Sequence, residues 1–269
     1  MADVLLELQE GMAILTVDRP AVRNAIGLAT MDALDQALDA AADADVLVIR
    51  GGGDRAFISG GDLKELAKIR TESEAVAMAL RMRRLCDQIA TFPAPVIAAL
   101  NGHALGGGAE VAVAADIRVA ADDITIGFTQ ATLAIMPAWG GAERLAALTG
   151  RAQALLLTTT GERVGTAEAH RIGLVERVYP RAEFEDSWRA LARRIASSPG
   201  RPIKSVIAAA APHHHAAQEE SAARTSPLCG PPTPTGPLWQ AASRPESDHR
   251  ANPPGIGGSP LDGELQVAR

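Results

Sequence analysis

Apolar positions along this chain fall into two rhythms. Short alternating or unbroken apolar runs mark strands, and spacings of three and four mark helices. Residues 4–8 and 12–17 read as two strands joined at Glu10-Gly11, an antiparallel hairpin that Arg19-Pro20 closes. Thr30 is the expected N-cap of a helix running to about Ala42, with Met31, Leu34 and Leu38 on one face. Residues 46–50 form a compact strand ended by Gly51-Gly52-Gly53, and a second glycine turn, Gly60-Gly61, opens a helix at about Asp62. A longer helix covers 72–90, and Pro93 and Pro95 precede the apolar run 96–100. The same order then recurs. A helix starts at about Gly107, strands follow at 117–120 and 124–126, and a loop leads to Pro137 and the Gly140-Gly141 turn. Further helices fit 151–159, 166–171 and 184–196. Strands alternate with helices, and glycine turns stand at the carboxyl ends of strands. This predicts an α/β fold with ligand chemistry at those turns.

The rhythm stops after about Arg224. Residues 226–269 are rich in Pro and Gly without period, which predicts a disordered tail, since such composition buries too little apolar surface to offset ordering entropy. Residues 1–200 are expected to form the core and 201–225 a C-terminal helical segment, truncated or altered. Aromatic residues are only 3% of the chain, so the core must rest on Ala, Val, Leu and Ile. A formal charge of −6 without a long basic block argues against nucleic acid as a partner. Cys86 and Cys229 match no metal or redox spacing. The N-terminus lacks the basic and apolar regions of a signal peptide, and no apolar run reaches the roughly 18 residues of a membrane helix. The cytoplasm is the expected location.

The candidate chemistry centres on Asn101-Gly102-His103-Ala104-Leu105-Gly106-Gly107-Gly108-Ala109-Glu110. Three glycines at a helix start leave peptide N–H groups uncovered, where the helix dipole adds positive potential. The turn at Gly60-Gly61 could aim a second N–H at the same ligand oxygen, and two such donors make an oxyanion hole. Each glycine set taken alone is more readily a tight turn. Their pairing around one carboxylate, Glu110, is what points to a site. Among weaker candidates, His103 sits in the glycine turn and Asp122-Asp123 reads most simply as a turn. The consecutive His213-His214-His215 cannot converge on one ion without irregular backbone.

Several segments together resemble the enoyl-CoA hydratase/isomerase (crotonase) family over about residues 4–200. They are Arg19-Pro20 with Asn24-Ala25, Ala56-Phe57-Ile58-Ser59-Gly60-Gly61-Asp62-Leu63, the stretch from Asn101 to Glu110, and Ala115-Asp116-Ile117-Arg118. Pro137-Ala138-Trp139-Gly140-Gly141 and the run from Ala167 to Val175 follow in the same order. The resemblance implies a crotonase-like spiral of ββα units with a C-terminal helical segment, assembled as a homotrimer or hexamer. It also implies an acyl-CoA enzyme of fatty acid metabolism, with coenzyme A arriving as part of the substrate and no metal or other cofactor. Oxyanion donors carry over to Gly61 and Gly107, and one catalytic glutamate to Glu110. Gly60, Asp62, Leu63 and Lys64 fall where the family contacts coenzyme A. Arg23 and Lys64 are candidates for its phosphates, and Trp139 for the wall of an acyl pocket.

One departure changes the chemistry. Family hydratases carry a second glutamate in a Pro-Glu pair, and aligning Pro137 and Gly140-Gly141 without gaps places Thr129-Gln130 there. Gln130 can position a water or a carbonyl but cannot exchange a proton at neutral pH. Hydration of a 2-enoyl-CoA therefore stands beside isomerisation, decarboxylation and a non-catalytic acyl-CoA-binding role. A nucleotide-dependent dehydrogenase is disfavoured because Gly106-Gly107-Gly108 lacks the G-x-G-x-x-G spacing. The tail is a second departure. Read in a shifted frame with GC-rich codons, 224–239 permits Phe-Ala-x-Leu-Trp followed by Asp and His, as family members end. This predicts a single-base insertion or deletion near residues 216–224, and an oligomer weakened by it.

Overall fold

The computed structural model describes residues 2–210. His213-His214-His215, Cys229, the tail 226–269 and most of the segment 201–225 lie outside the described residues.

Two sheets are built by one repeating device. Strands β1 (Val4–Gln9) and β2 (Met12–Val17) form the expected antiparallel hairpin, with Val4 opposite Val17. Helix α1 (Leu28–Ala40) follows. Next come β3 (Val46–Gly51), β4 (Ala56–Ile58), α2 (Leu63–Leu66) and α3 (Glu72–Ala90). The unit recurs as β5 (Val96–Leu100), β6 (His103–Leu105) and α4 (Gly107–Ala114). It recurs again as β7 (Ile117–Ala121), β8 (Thr125–Gly127), a 3-10 turn at Thr129–Leu133 and α5 (Gly141–Thr149). In each unit the first strand joins a six-stranded sheet of order β1-β2-β3-β5-β7-β10, and the second joins a four-stranded sheet of order β4-β6-β8-β9. The chain closes with α6 (Arg151–Thr160), β9 (Arg163–Gly165), α7 (Thr166–Arg171), β10 (Arg177–Tyr179), α8 (Phe184–Ala196) and α9 (Gly200–Ala210).

The sequence explains the larger sheet. Strands β3, β5 and β7 pair in parallel and are almost wholly buried, which is why they read as unbroken apolar runs. Small and large residues alternate across the register: Ile49 faces Ala98, Ala99 faces Val119, and Leu100 faces Ala120. An aromatic-poor core thus fills its layers with Ala against branched residues. Arg118, a fully buried charge in this layer, donates from Nε to the Leu174 carbonyl (2.9 Å) and from Nη1 to the Ala115 carbonyl (2.7 Å), and pairs with Glu176. A buried guanidinium needs such partners.

Three features differ from the sequence expectation. Helix α1 is capped by Gly27, not Thr30. Thr30 sits one turn inside, where its hydroxyl accepts from the Gly27 N–H (3.2 Å) and donates to Asp3 Oδ2 (2.7 Å). The run at 96–100 does not feed straight into the glycine turn, because β6 intervenes. The stretch leading to Pro137 holds the 3-10 turn that carries Gln130.

Candidate active site

The site lies where the ends of β4 and β6 meet the start of α4. Residues 24–26 run beside the loop after β4: the Ile26 N–H donates to the Gly60 carbonyl (2.8 Å), and the Asp62 N–H donates to the Ile26 carbonyl (2.9 Å). In that parallel bridge Gly61 turns its own N–H to the opposite side. Gly60, at φ +110°, approaches so closely that a Cβ on it would lie 3.3 Å from the Gly107 nitrogen. Gly107 is the first residue of α4, where backbone donors have no intrahelical acceptor. Among the described residues, neither the Gly61 nor the Gly107 N–H has a protein acceptor. The two glycine turns read separately from sequence are thus brought together.

Close packing needs the glycines here. A Cβ on Gly108 would land on the Ile58 carbonyl oxygen, so α4 rests directly on β4. Every residue of α4 is buried, including Glu110 in its first turn. Glu110 Oε2 accepts from the N–H groups of Trp139 (2.8 Å) and Gly141 (2.9 Å), and Oε1 accepts from Gln130 Nε2 (2.8 Å). Burial pushes this carboxyl up to about 7, and the Gly141, Trp139 and Gln130 donors keep it from rising further. Such a group is half-ionised near neutrality, the condition for moving protons in either direction. The Gln130 amide oxygen is buried beside it with no partner among the described residues.

Trp139 lies across the floor of this arrangement. A Cβ on Gly107 would press into its indole, with Cε3 at 2.7 Å, and one on Gly61 would meet Cζ2 at 3.7 Å. Leu66 and Gly141, to which the sequence assigns no site role, belong here too. Leu66 Cδ1 would lie 2.8 Å from a Cβ on Gly61, and Gly141 packs against Glu110, where a Cβ would come within 2.8 Å of the Glu110 Cβ. The Gly140-Gly141 pair was the available signal for the second.

The remaining candidates divide. Asp62 is taken up structurally: Oδ1 accepts from the Lys64 N–H (3.1 Å), capping α2, and Oδ2 accepts from Arg19 Nη2 (3.1 Å). Leu63 and Lys64 are exposed just beyond it. Arg23 is also exposed, and its carbonyl accepts from the Ser59 N–H (3.2 Å), which sets it beside the loop after β4. His103 is turned to Thr125, whose N–H donates to Nδ1 (3.0 Å). Asp122 and Asp123 hold Arg181, as a turn requires. Cys86 is buried, and desolvation pushes its thiol up to about 12, so it behaves as a core residue. Among the described residues no cluster of three His, Cys, Asp or Glu could hold a metal, and no helix is long and apolar enough to cross a membrane.

Repeated ββα units, with a buried carboxyl in the first turn of the helix that starts at Gly107, define the class: an α/β protein with a glycine-lined candidate site. Comparison with known proteins gives the family. The enoyl-CoA hydratase/isomerase family matches residues 7–226. The short-chain-enoyl-CoA hydratase of Clostridium acetobutylicum is 32% identical over 205 residues, 75% of this chain and 78% of the relative. The human mitochondrial enoyl-CoA hydratase domain-containing protein 2 is 38% identical over 199 residues, 72% of this chain and 68% of the relative. The crystal structure of an enoyl-CoA hydratase from Bacillus anthracis superposes with a TM-score of 0.75 at 33% identity, covering 83% of this chain and 90% of that one. The chain belongs to the enoyl-CoA hydratase/isomerase family and has its crotonase fold. It is an acyl-CoA enzyme of that family.

Proposed function

We propose that this enzyme hydrates 2-enoyl-CoA thioesters with Glu110 as its single proton-transfer group. One observation carries the reading: a buried carboxyl poised near neutrality stands 2.8 Å from an amide whose oxygen has no partner among the described residues. Both lone pairs of Glu110 Oε2 are engaged by backbone N–H groups, whereas Oε1 has one donor and one lone pair free. Oε1 is therefore the atom that handles the proton. The thioester oxygen accepts from the Gly61 and Gly107 N–H groups, and a water donates to the Gln130 amide oxygen and to Oε1. As the water oxygen bonds to C3 of the enoyl group, its proton passes to Oε1. The π electrons move to the thioester oxygen as an enolate. The enolate then takes the same proton back at C2, leaving a neutral 3-hydroxyacyl thioester and a carboxylate ready for the next turn. Lys64, Leu63 and Arg23, exposed around the same loop, are the contacts proposed for coenzyme A.

Turnover of crotonyl-CoA, followed by loss of the conjugated thioester absorbance, tests this. Glu110→Gln should lower kcat by about 10²- to 10⁴-fold. Because the ionised carboxyl takes the proton from water, wild-type kcat/KM should climb as pH rises through about 7 and level off above. Retention of rate in Glu110→Gln would sink the reading.

Gln130 favours one second reading. With Gln130 in place of a second glutamate, Glu110 can also shuttle a proton between C4 and C2, which is enoyl-CoA isomerisation; 3-enoyl thioesters would then be the better substrates. A homotrimeric or hexameric particle and a cytoplasmic location belong to the same proposal.

A further inference from the structure

Trp139 does two things at one point in the fold. Its backbone is pinned on both sides: the N–H donates to Glu110 Oε2 (2.8 Å), and the carbonyl accepts from Arg144 Nη1 (3.1 Å). Its indole is buried and spans from Gly107 to Gly61, the two residues whose N–H groups are unspent. The ring can lie there only because Gly107 lacks a side chain; at Gly61 it comes within ordinary van der Waals contact. Leu66 closes the Gly61 side. With a thioester oxygen on those N–H groups and C2 and C3 at Glu110, the acyl chain beyond C3 must leave past this ring. The pinned backbone prevents the residue from backing away without releasing Glu110.

We infer that Trp139 sets acyl-chain length, holding the site to short-chain acyl thioesters of about four carbons. The inference rests on the proposed acyl-CoA site but not on the hydration step. Its test therefore uses ligands that cannot react as well as ones that can. Kd values for the saturated thioesters butyryl-CoA and decanoyl-CoA are measured by calorimetry with wild type, Trp139→Ala and Trp139→Phe. Rates with the four- and ten-carbon 2-enoyl-CoA thioesters are measured in parallel. Six added methylenes would tighten binding in an open apolar pocket. Wild type should instead bind decanoyl-CoA at least tenfold more weakly than butyryl-CoA. Trp139→Ala should shift that ratio by tenfold or more towards the long chain, with Trp139→Phe between. If the alanine variant does not fold, the phenylalanine variant decides alone. Wild-type affinity for decanoyl-CoA equal to that for butyryl-CoA would overturn the inference, as would an unchanged ratio in folded variants. Absence of turnover with the predicted Kd pattern would remove the hydration reading and leave the role of Trp139 standing.

Discussion

At Glu110 burial and hydrogen bonding act in opposite directions, and burial wins. The carboxyl is held at about 7, against an ordinary value of 4.5. A carboxyl raised on folding favours the folded state while protonated, so its contribution is complete below 4.5 and is lost as pH climbs through 7. At pH 8 the ionised, buried group costs about 3 kcal/mol relative to a neutral one. Glu110→Gln removes that cost. Its amide oxygen can keep the two backbone donors while its NH2 faces a reoriented Gln130. Urea unfolding at pH 5 and pH 8 should therefore find the variant near wild type at the lower pH and more stable, by up to about 3 kcal/mol, at the higher. An inactive variant that outlasts its parent is the mark of a site built at the expense of stability. Glu110 and the two glycine turns were legible in sequence because each combines a rare residue pattern with a strand-to-helix junction. How Leu66 sits against Gly61 and Gly141 against Glu110 was not, because those side-chain distances are set only by the folded chain.

Among the elements, the asparagines of the motifs Asn24-Ala25 and Asn101-Gly102 serve as clamps. Asn101 accepts from the Gly51 N–H (2.9 Å) and donates to the carbonyls of Gly51 (2.8 Å) and Gly53 (2.6 Å). Asn24 donates to the carbonyls of Gly52 (3.0 Å) and Ala56 (2.8 Å). Together they tie down the glycine loop between β3 and β4, and through β4 the loop that carries Gly61. Asn101→Ala should cost about 3 kcal/mol at roughly 1 kcal/mol per bond, read as a lower urea midpoint. A midpoint equal to wild type would show that water replaces the clamp. The helices and the long strands followed from periodicity, whereas β6 and β9, three residues each, are too short to show any. The start of α1 departs from the expected cap for a related reason: Thr30 can serve a helix start from the cap or from one turn inside, and sequence does not separate the two.

For the molecule as a whole, α9 presents Ile203, Val206 and Ile207 along one face, with exposures of 51%, 70% and 65%. Three large apolar side chains at helical spacing fit burial against another surface. Light scattering on the purified protein should give a trimer or a multiple of it, and replacing Val206 and Ile207 with Glu should lower the particle mass. A monomer at micromolar concentration would count against that assembly. The position of Trp139 also has an optical consequence. The chain has three tryptophans, and one of them, Trp188, is fixed by its own surroundings: it is buried, donates to Glu185 Oε2 (3.1 Å) and lies under the guanidinium of Arg189. Trp139 instead borders the candidate site, so an arriving thioester changes the polarity around an intrinsic fluorophore. The enzyme should report its own occupancy as a shift in emission, without label or turnover, and Trp139→Phe should silence that component.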